Sequence, residues 1–241
     1  TARPVALITA GAKRLGKAMA LRLAQRGYDL ALHCRASLSA AQATQAELES
    51  LGAEVEVLQA DLSDEAQVAS LWDQTLDRFG ACQLLINNAS LFERDEALTA
   101  TKASWDAHQA INVRAPFLLS QALARQEQPG LIVNMLDTRV LNLTPHFSSY
   151  TVSKASLATL TQTLALALAP NIRVNGIAPG FTLPSPKQSQ ADFDEKAGSQ
   201  PLGRSVEPEE IVRALDFILD SPSMTGQILA LDAGQHLNWR P

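Results

Sequence analysis

The chain has only two cysteines, Cys34 and Cys82, in 241 residues. Both fall in apolar, strand-like runs. They read as two buried thiols in a reducing compartment, not as a disulfide framework. No apolar run reaches the ~18 residues a membrane-spanning helix needs; LALALA at 164–169 is typical of the longest. No basic segment followed by an apolar stretch opens the sequence, so no signal peptide is expected. Basic residues are not in excess: 20 Lys and Arg face 25 Asp and Glu, for a net charge of −5. That removes the electrostatic footprint of a nucleic-acid or anionic-membrane binder. No internal repeat and no low-complexity linker is present. Asp192, Asp194 and Glu195 cluster, but they read as a solvated face, and no metal site is expected. What remains is a cytoplasmic enzyme or a small-molecule-binding domain. With 46% apolar and 19% charged residues, residues 1–241 suffice for one core and a single domain.

Short apolar or β-branched runs alternate with amphipathic stretches. PVALIT (4–9), YDLALHC (28–34), AEVEVLQA (53–60), CQLLINN (82–88), LIVNML (131–136), IRVNGIA (172–178) and QILALD (227–232) read as strands. Helices are expected over 15–27, 39–52, 64–80, 101–125, 148–169 and 207–220, the first two closed by glycine. Continuous apolar strands between helices imply an α/β fold of Rossmann type. In it, a doubly wound parallel sheet of about seven strands is covered by helices on both faces. Ligands of such sheets bind at the carboxyl ends of the strands. The one irregular stretch, 179–206, is polar and long enough to form a substrate loop, around 181–206.

TAGAKRLG (9–16) follows the first strand and opens a helix. Such a turn aims backbone N–H groups at an anion, and Lys13 and Arg14 add positive charge. The second strand ends in HCRAS (33–37), without the acid that would accept from the ribose hydroxyls of NAD. Arg14, Arg35 and Ser37 instead offer donors for an adenosine 2′-phosphate. His33 reads as a packed or ribose-side residue. Tyr150 and Lys154 stand four apart and share a helix face. A cation one turn away is expected to lower the phenol's pKa from near ~10. Asp137 lies thirteen residues before Tyr150.

Taken in order, TAGAKRLG, Asp61, NNAS (87–90), Asn112, Tyr150-x-x-x-Lys154 and PG (179–180) resemble the short-chain dehydrogenase/reductase family over nearly the whole chain. The resemblance implies an NAD(P)-dependent oxidoreductase, a homotetramer, and a cofactor site. That site comprises Thr9, Gly11, Lys13, Arg14, Leu15, Gly16, His33, Arg35, Ser37, Asp61, Leu62, Asn88, Ala89, Ser90, Tyr150, Lys154, Pro179, Gly180 and Thr182. It also implies catalytic roles for Asn112, Tyr150 and Lys154, with Asn112 holding a water near the lysine. Finer details resemble the pteridine reductase and dihydromonapterin reductase branch. Arg14 stands at the second fingerprint glycine, Asp137 replaces the family's catalytic serine, and Ser90 and Phe92 follow NNA. The ending LDAGQHLNW (231–239) is similar too. This implies a substrate site of Arg14, Ser90, Phe92, Asp137 and Tyr150, with Phe92 stacked on a pterin. Ala10 departs from the family's first glycine, with Gly11 one place late to relieve it.

The chemistry of position 137 is the main discriminator. A carbonyl reductase builds negative charge on oxygen, which a hydroxyl donor stabilises and a carboxylate repels. A ring C=N needs a proton on nitrogen, and its iminium character suits a nearby anion. These residues therefore point to NADPH-dependent reduction of a dihydropterin or dihydrofolate. One alternative is a carbonyl reductase acting on acyl thioesters or sugars. Another is a catalytically silent nucleotide-sensing subunit. The residues NWRP (238–241), after the last strand, are expected to reach a neighbouring subunit's active site.

Overall fold

The computed structural model describes residues 3–185 and 188–238. Seven strands form one parallel sheet in the order β3-β2-β1-β4-β5-β6-β7. They are β1 Val5–Ile8, β2 Asp29–Cys34, β3 Val55–Gln59, β4 Leu84–Asn87, β5 Gly130–Met135, β6 Ile172–Pro179 and β7 Ile228–Leu231. The helices are α1 Arg14–Gln25, α2 Leu38–Ser50, α3 Glu65–Phe79, α4 Lys102–Gln109, α5 Ala115–Ala124, α6 Ser148–Ala167, α7 Gln190–Gly198 and α8 Pro208–Leu219. Each parallel pair needs a crossover, and the helices supply it on both faces. The side chains of β1 show the division. Ala6 and Ile8 pack into the layer of α1, α2 and α8, whereas Leu7 packs into the layer of α3, α5 and α6. This is the period of two that a strand imposes.

Local chemistry sets the element ends. Asp64 caps α3 by accepting from the N–H groups of Ala66 and Gln67, and Gly80 closes it at φ 79°. Gly27 and Gly52 end the first two helical segments at positive φ, as the sequence anticipates. Pro208 opens α8, where Glu207 and Glu210 form a reciprocal cap. Across the sheet face, Arg22 and Arg26 of α1 pair with Asp216 of α8 at 2.8 and 3.0 Å.

Two segments differ from the sequence reading. The helix expected over 101–125 is interrupted by a π-turn at Ala110–Arg114. Pro116 has no N–H to close the α-helical bond to the Asn112 carbonyl, and the wider turn absorbs the defect. The stretch 179–206 is not all loop. It contains α7, capped by Ser189 and anchored by the buried Phe193, whose ring meets Phe181 edge-on at 6.1 Å. Cys34 and Cys82 are buried free thiols. Among the described residues, no helix is long and apolar enough to cross a membrane. Among the same residues, no group of three His, Cys, Asp or Glu side chains could hold a metal ion. Of the NWRP segment, only Asn238 lies within the described residues.

Candidate active site

The strand order reverses direction between β1 and β4, which pair side by side. The crevice at their carboxyl ends is where an open α/β sheet binds ligands. Thr9 ties the two strand ends together: its hydroxyl accepts from the N–H groups of Asn88 and Ala89, both at 2.9 Å. Asn88 answers by donating to the carbonyls of Thr9 and Ala10 at 3.0 and 3.1 Å. Ala10 itself adopts φ 51°, and Arg14 φ 55°. Gly11 therefore does not take over the left-handed position. It is needed for space, because a Cβ there would meet the Leu32 side chain at 2.5 Å. A Cβ on Gly16 would likewise meet the Ala10 carbonyl at 2.4 Å.

His33 holds this turn from below. Its Nδ1 accepts from the Ala10 N–H at 3.0 Å. Nε2 must then carry the proton, and it lies 3.0 Å from the Ala60 carbonyl. Burial pushes its pKa down, so the ring is a neutral structural strut on the floor of the cavity. That cavity, of about 300 Å³, is lined by Lys13, Arg35, Ser37, Asp61, Leu62 and Ala89 among others. Asp61 is fixed by the N–H and hydroxyl of Ser63 at 2.9 and 2.7 Å.

A second cavity of about 470 Å³ shares Ala10, Lys13 and Ser90 with the first. Its lining brings together Arg14, Leu15, Gly16, Asn88, Phe92, Asp137, Tyr150, Lys154, Pro179, Gly180 and Thr182. These span nearly the whole sequence, yet the sheet gathers them in one place. Gly180 belongs to the wall because a Cβ there would strike Asp232 at 2.7 Å. Arg14 reaches across the mouth to the Leu183 carbonyl at 3.2 Å.

Asp137 follows β5 and caps a short 3₁₀ turn, Thr138–Val140, by accepting from the Arg139 N–H at 2.8 Å. It is thus a turn residue and a site residue at once, because its other oxygen accepts from the Tyr150 hydroxyl at 2.9 Å. The sequence expectation for Tyr150 is reversed here. Burial, and then the Asp137 charge, push its pKa well above the ordinary value, with the Arg139 cation opposing. Lys154 does not offset this. It is itself 2% exposed, donates to the Met135 carbonyl at 2.7 Å, and burial lowers its pKa to about 8. In this state Tyr150 is a neutral phenol holding its proton.

Asn112 has no exposed surface, and its bonds go to protein. It donates to the Leu91 carbonyl at 3.0 Å and the Ser153 hydroxyl at 2.9 Å, and accepts from the Leu91 N–H at 2.8 Å. Both amide hydrogens are used, so it fastens the 88–92 loop to α6. No direct bond to Lys154 is present. Phe92 forms one wall of the larger cavity and is stacked on Phe147 at 4.6 Å, with 6° between the rings. Tyr150 meets it edge-on at 4.7 Å. Two residues at the site escape the sequence reading. Phe147 braces Phe92 from a left-handed position, φ 59°. Arg139 pairs with Asp137 through Nη1 at 3.0 and 3.2 Å. A cation two places after a strand-end carboxylate, in LDTRV, was the signal available for Arg139.

A glycine-containing strand-to-helix turn at the switch point beside a buried Tyr-Lys pair is the arrangement of a dinucleotide-dependent oxidoreductase. Residues 10–236 match the family described as enoyl-(acyl carrier protein) reductase, and the chain belongs to the short-chain dehydrogenase/reductase family. It is 31% identical over 244 residues to a 3-oxoacyl-[acyl-carrier-protein] reductase of Synechocystis, covering 95% of this chain and 96% of that protein. It is 43% identical to FolM alternative dihydrofolate reductase 1 of Brucella canis, solved with NADP. That match has a TM-score of 0.95 and covers 100% of this chain and 96% of the other. The Brucella suis counterpart, also solved with NADP, is 43% identical over 99% of this chain and 97% of its own, with a TM-score of 0.94.

The buried lysine makes a stability prediction. Its pKa drops from 10.5 to about 8, so charging it inside the fold costs roughly 3 kcal/mol below pH 8. Between pH 8 and 10.5 the unfolded chain holds more protons than the folded one, and stability rises through that window. Lys154→Met should therefore raise the melting temperature of the cofactor-free protein at pH 7. The gain should shrink as the pH climbs through that window. Thermal melts at pH 7 and pH 10 check this, and a variant less stable than the parent at pH 7 would refute it.

Proposed function

We propose that this protein is an NADPH-dependent pteridine reductase, transferring hydride to a ring C=N of a dihydropterin or dihydrofolate to give the tetrahydro form. The observation that carries the reading is the Tyr150–Asp137 hydrogen bond of 2.9 Å in a cavity walled by Phe92. A neutral phenol beside a carboxylate suits protonation of a ring nitrogen, and an aromatic wall suits a flat heterocycle. The 43% identity to two FolM dihydrofolate reductases supports the same substrate class.

The residues present fit the dinucleotide. Gly16 leaves no room for a Cβ at the turn, and Lys13, Arg35 and Ser37 line the smaller cavity with no acid at the end of β2. Thr9, Gly11, Leu15, Asp61, Leu62, Ala89 and Ser90 would frame the cofactor, and Pro179, Gly180 and Thr182 would cover its reactive end. Bound NADPH supplies the hydride. Tyr150 holds the proton to be given up. Asp137 accepts from the Tyr150 hydroxyl, Lys154 anchors the ribose side, and Arg14 and Ser90 flank the substrate. A second reading, carbonyl reduction, is favoured by one observation: Arg139 covers the Asp137 charge that would repel an oxyanion. The 3-oxoacyl-[acyl-carrier-protein] reductase relative fits that reading. Residues 1–241 act as one domain in the pteridine reading. Buried, unbridged Cys34 and Cys82 suit a reducing, cytoplasmic setting. A homotetramer is supported by β7, an apolar edge strand left half-covered.

Four outcomes are expected. NADPH oxidation with dihydrobiopterin, dihydromonapterin or dihydrofolate should exceed that with an acetoacetyl thioester. Asp137→Ser should cut the pterin rate by ~10²–10⁴-fold while NADPH binding stays nearly unchanged; full retained activity would remove the main chemical support. NADPH should be preferred to NADH, and Arg35→Asp should weaken NADPH far more; equal kcat/KM for both cofactors in the parent protein would defeat that assignment. Light scattering at micromolar concentration should report a tetramer, and a monomer would rule it out.

A further inference from the structure

We propose that Arg139 is a positioning residue for the reaction, acting through Asp137; this rests on the pteridine reading for its substrate. The carboxylate of Asp137 has two oxygens and about four acceptor positions. All are engaged within the protein. Oδ1 accepts from the Arg139 N–H at 2.8 Å and from Nη1 at 3.2 Å, and Oδ2 accepts from Nη1 at 3.0 Å and from the Tyr150 hydroxyl at 2.9 Å. One residue thus supplies three of the four contacts that fix the carboxylate's orientation. The fourth is the proton-bearing hydroxyl.

The guanidinium is held in turn by rings. Its centre lies 5.4 Å from Phe92, 5.1 Å from Phe147 and 5.9 Å from Tyr150, within the distance for cation–π attraction. Its side chain is 18% exposed and that of Asp137 16%, so the pair is largely withdrawn from water. Among the described residues, the only side-chain hydrogen bonds of Arg139 go to Asp137, and Nε is buried without a partner. The aromatic cage and the carboxylate therefore set its place. In return, Arg139 sets the direction in which Asp137 meets Tyr150 and keeps the cavity from presenting a bare negative charge to a neutral ring. The planar guanidinium combines these ring contacts with the Nη1 bonds to both carboxylate oxygens, a combination that a lysine does not fully reproduce.

A double-mutant cycle tests the assignment. Arg139→Met should lower kcat for the best pterin on the order of 10-fold or more, the scale of coupling between residues in one network. The NADPH Kd should not move, and KM should change less than kcat. Arg139→Lys should recover part of the loss. In an Asp137→Asn background, Arg139→Met should cost less than about 2-fold more, because the group it positions is already altered. A melting cycle needs no substrate. Arg139→Met alone leaves a buried carboxylate uncompensated and should melt lower than the Asp137→Asn, Arg139→Met double variant. If the parent protein reduces no pterin, the pteridine reading falls, and the melting cycle still decides the role of Arg139. Additive effects in the melting cycle, or parental kcat in Arg139→Met, would overturn the proposal.

Discussion

The parallel pairing of β1 with β4 is the constraint on which the rest of the site depends. Strand order runs outward in both directions from this pair, so no crossover helix closes the crevice between their ends. Thr9 bridges that gap with one hydroxyl on two N–H groups. Remove the reversal, and the turn at 9–16 and the NNAS loop would sit on separate parts of the sheet. With it in place, β5 and β6 extend from the same centre and deliver Asp137 and Gly180 to the same cavity. Ala10 and Gly180, 170 positions apart in sequence, thereby line one cavity.

Much of this was legible in the sequence because it follows from periodicity and from glycine. Seven apolar runs give seven strands, and Gly27, Gly52 and Gly80 stop helices at positive φ. The Tyr150-x-x-x-Lys154 spacing places both side chains on one helix face, and both line the cavity. What escaped the sequence depends on burial and on side-chain packing, which spacing does not encode. The direction of the Tyr150 pKa is the clearest case. Four-residue spacing predicts a stabilised phenolate, but both groups are buried, and the charge nearest the hydroxyl is an anion. Helix α7 was hidden because its one buried stripe is short, resting on Phe193 and Ala197. Phe147 was hidden because a ring that braces another ring carries no pattern of its own.

Arg139 changes the terms of the argument about position 137. A lone carboxylate in a reductase cavity would disfavour any reaction that places negative charge on oxygen. The ion pair seen here is close to neutral as a unit, with the anion turned toward Tyr150 and the cation lodged among three rings. The carboxylate thus keeps its acceptor role while its field is damped. On the proposed pteridine reading, selectivity for a C=N bond comes less from bulk charge and more from which atom faces which group. The acceptor oxygen on the Tyr150 hydroxyl gives the proton a defined path. The flat wall of Phe92, backed by Phe147, gives a defined plane.

The same logic explains why the site tolerates so costly a set of buried charges. Lys154 loses hydration and gains a single carbonyl partner, an arrangement that stability alone would not favour. Asn112 and Ser153 spend their hydrogen-bonding capacity on the 88–92 loop and on α6, which leaves the lysine with few protein partners. On the proposed function, a cation prepared in this way has bonding capacity left for the hydroxyls of a bound ribose. The backbone around the site is over-determined by Thr9, His33 and Asn88.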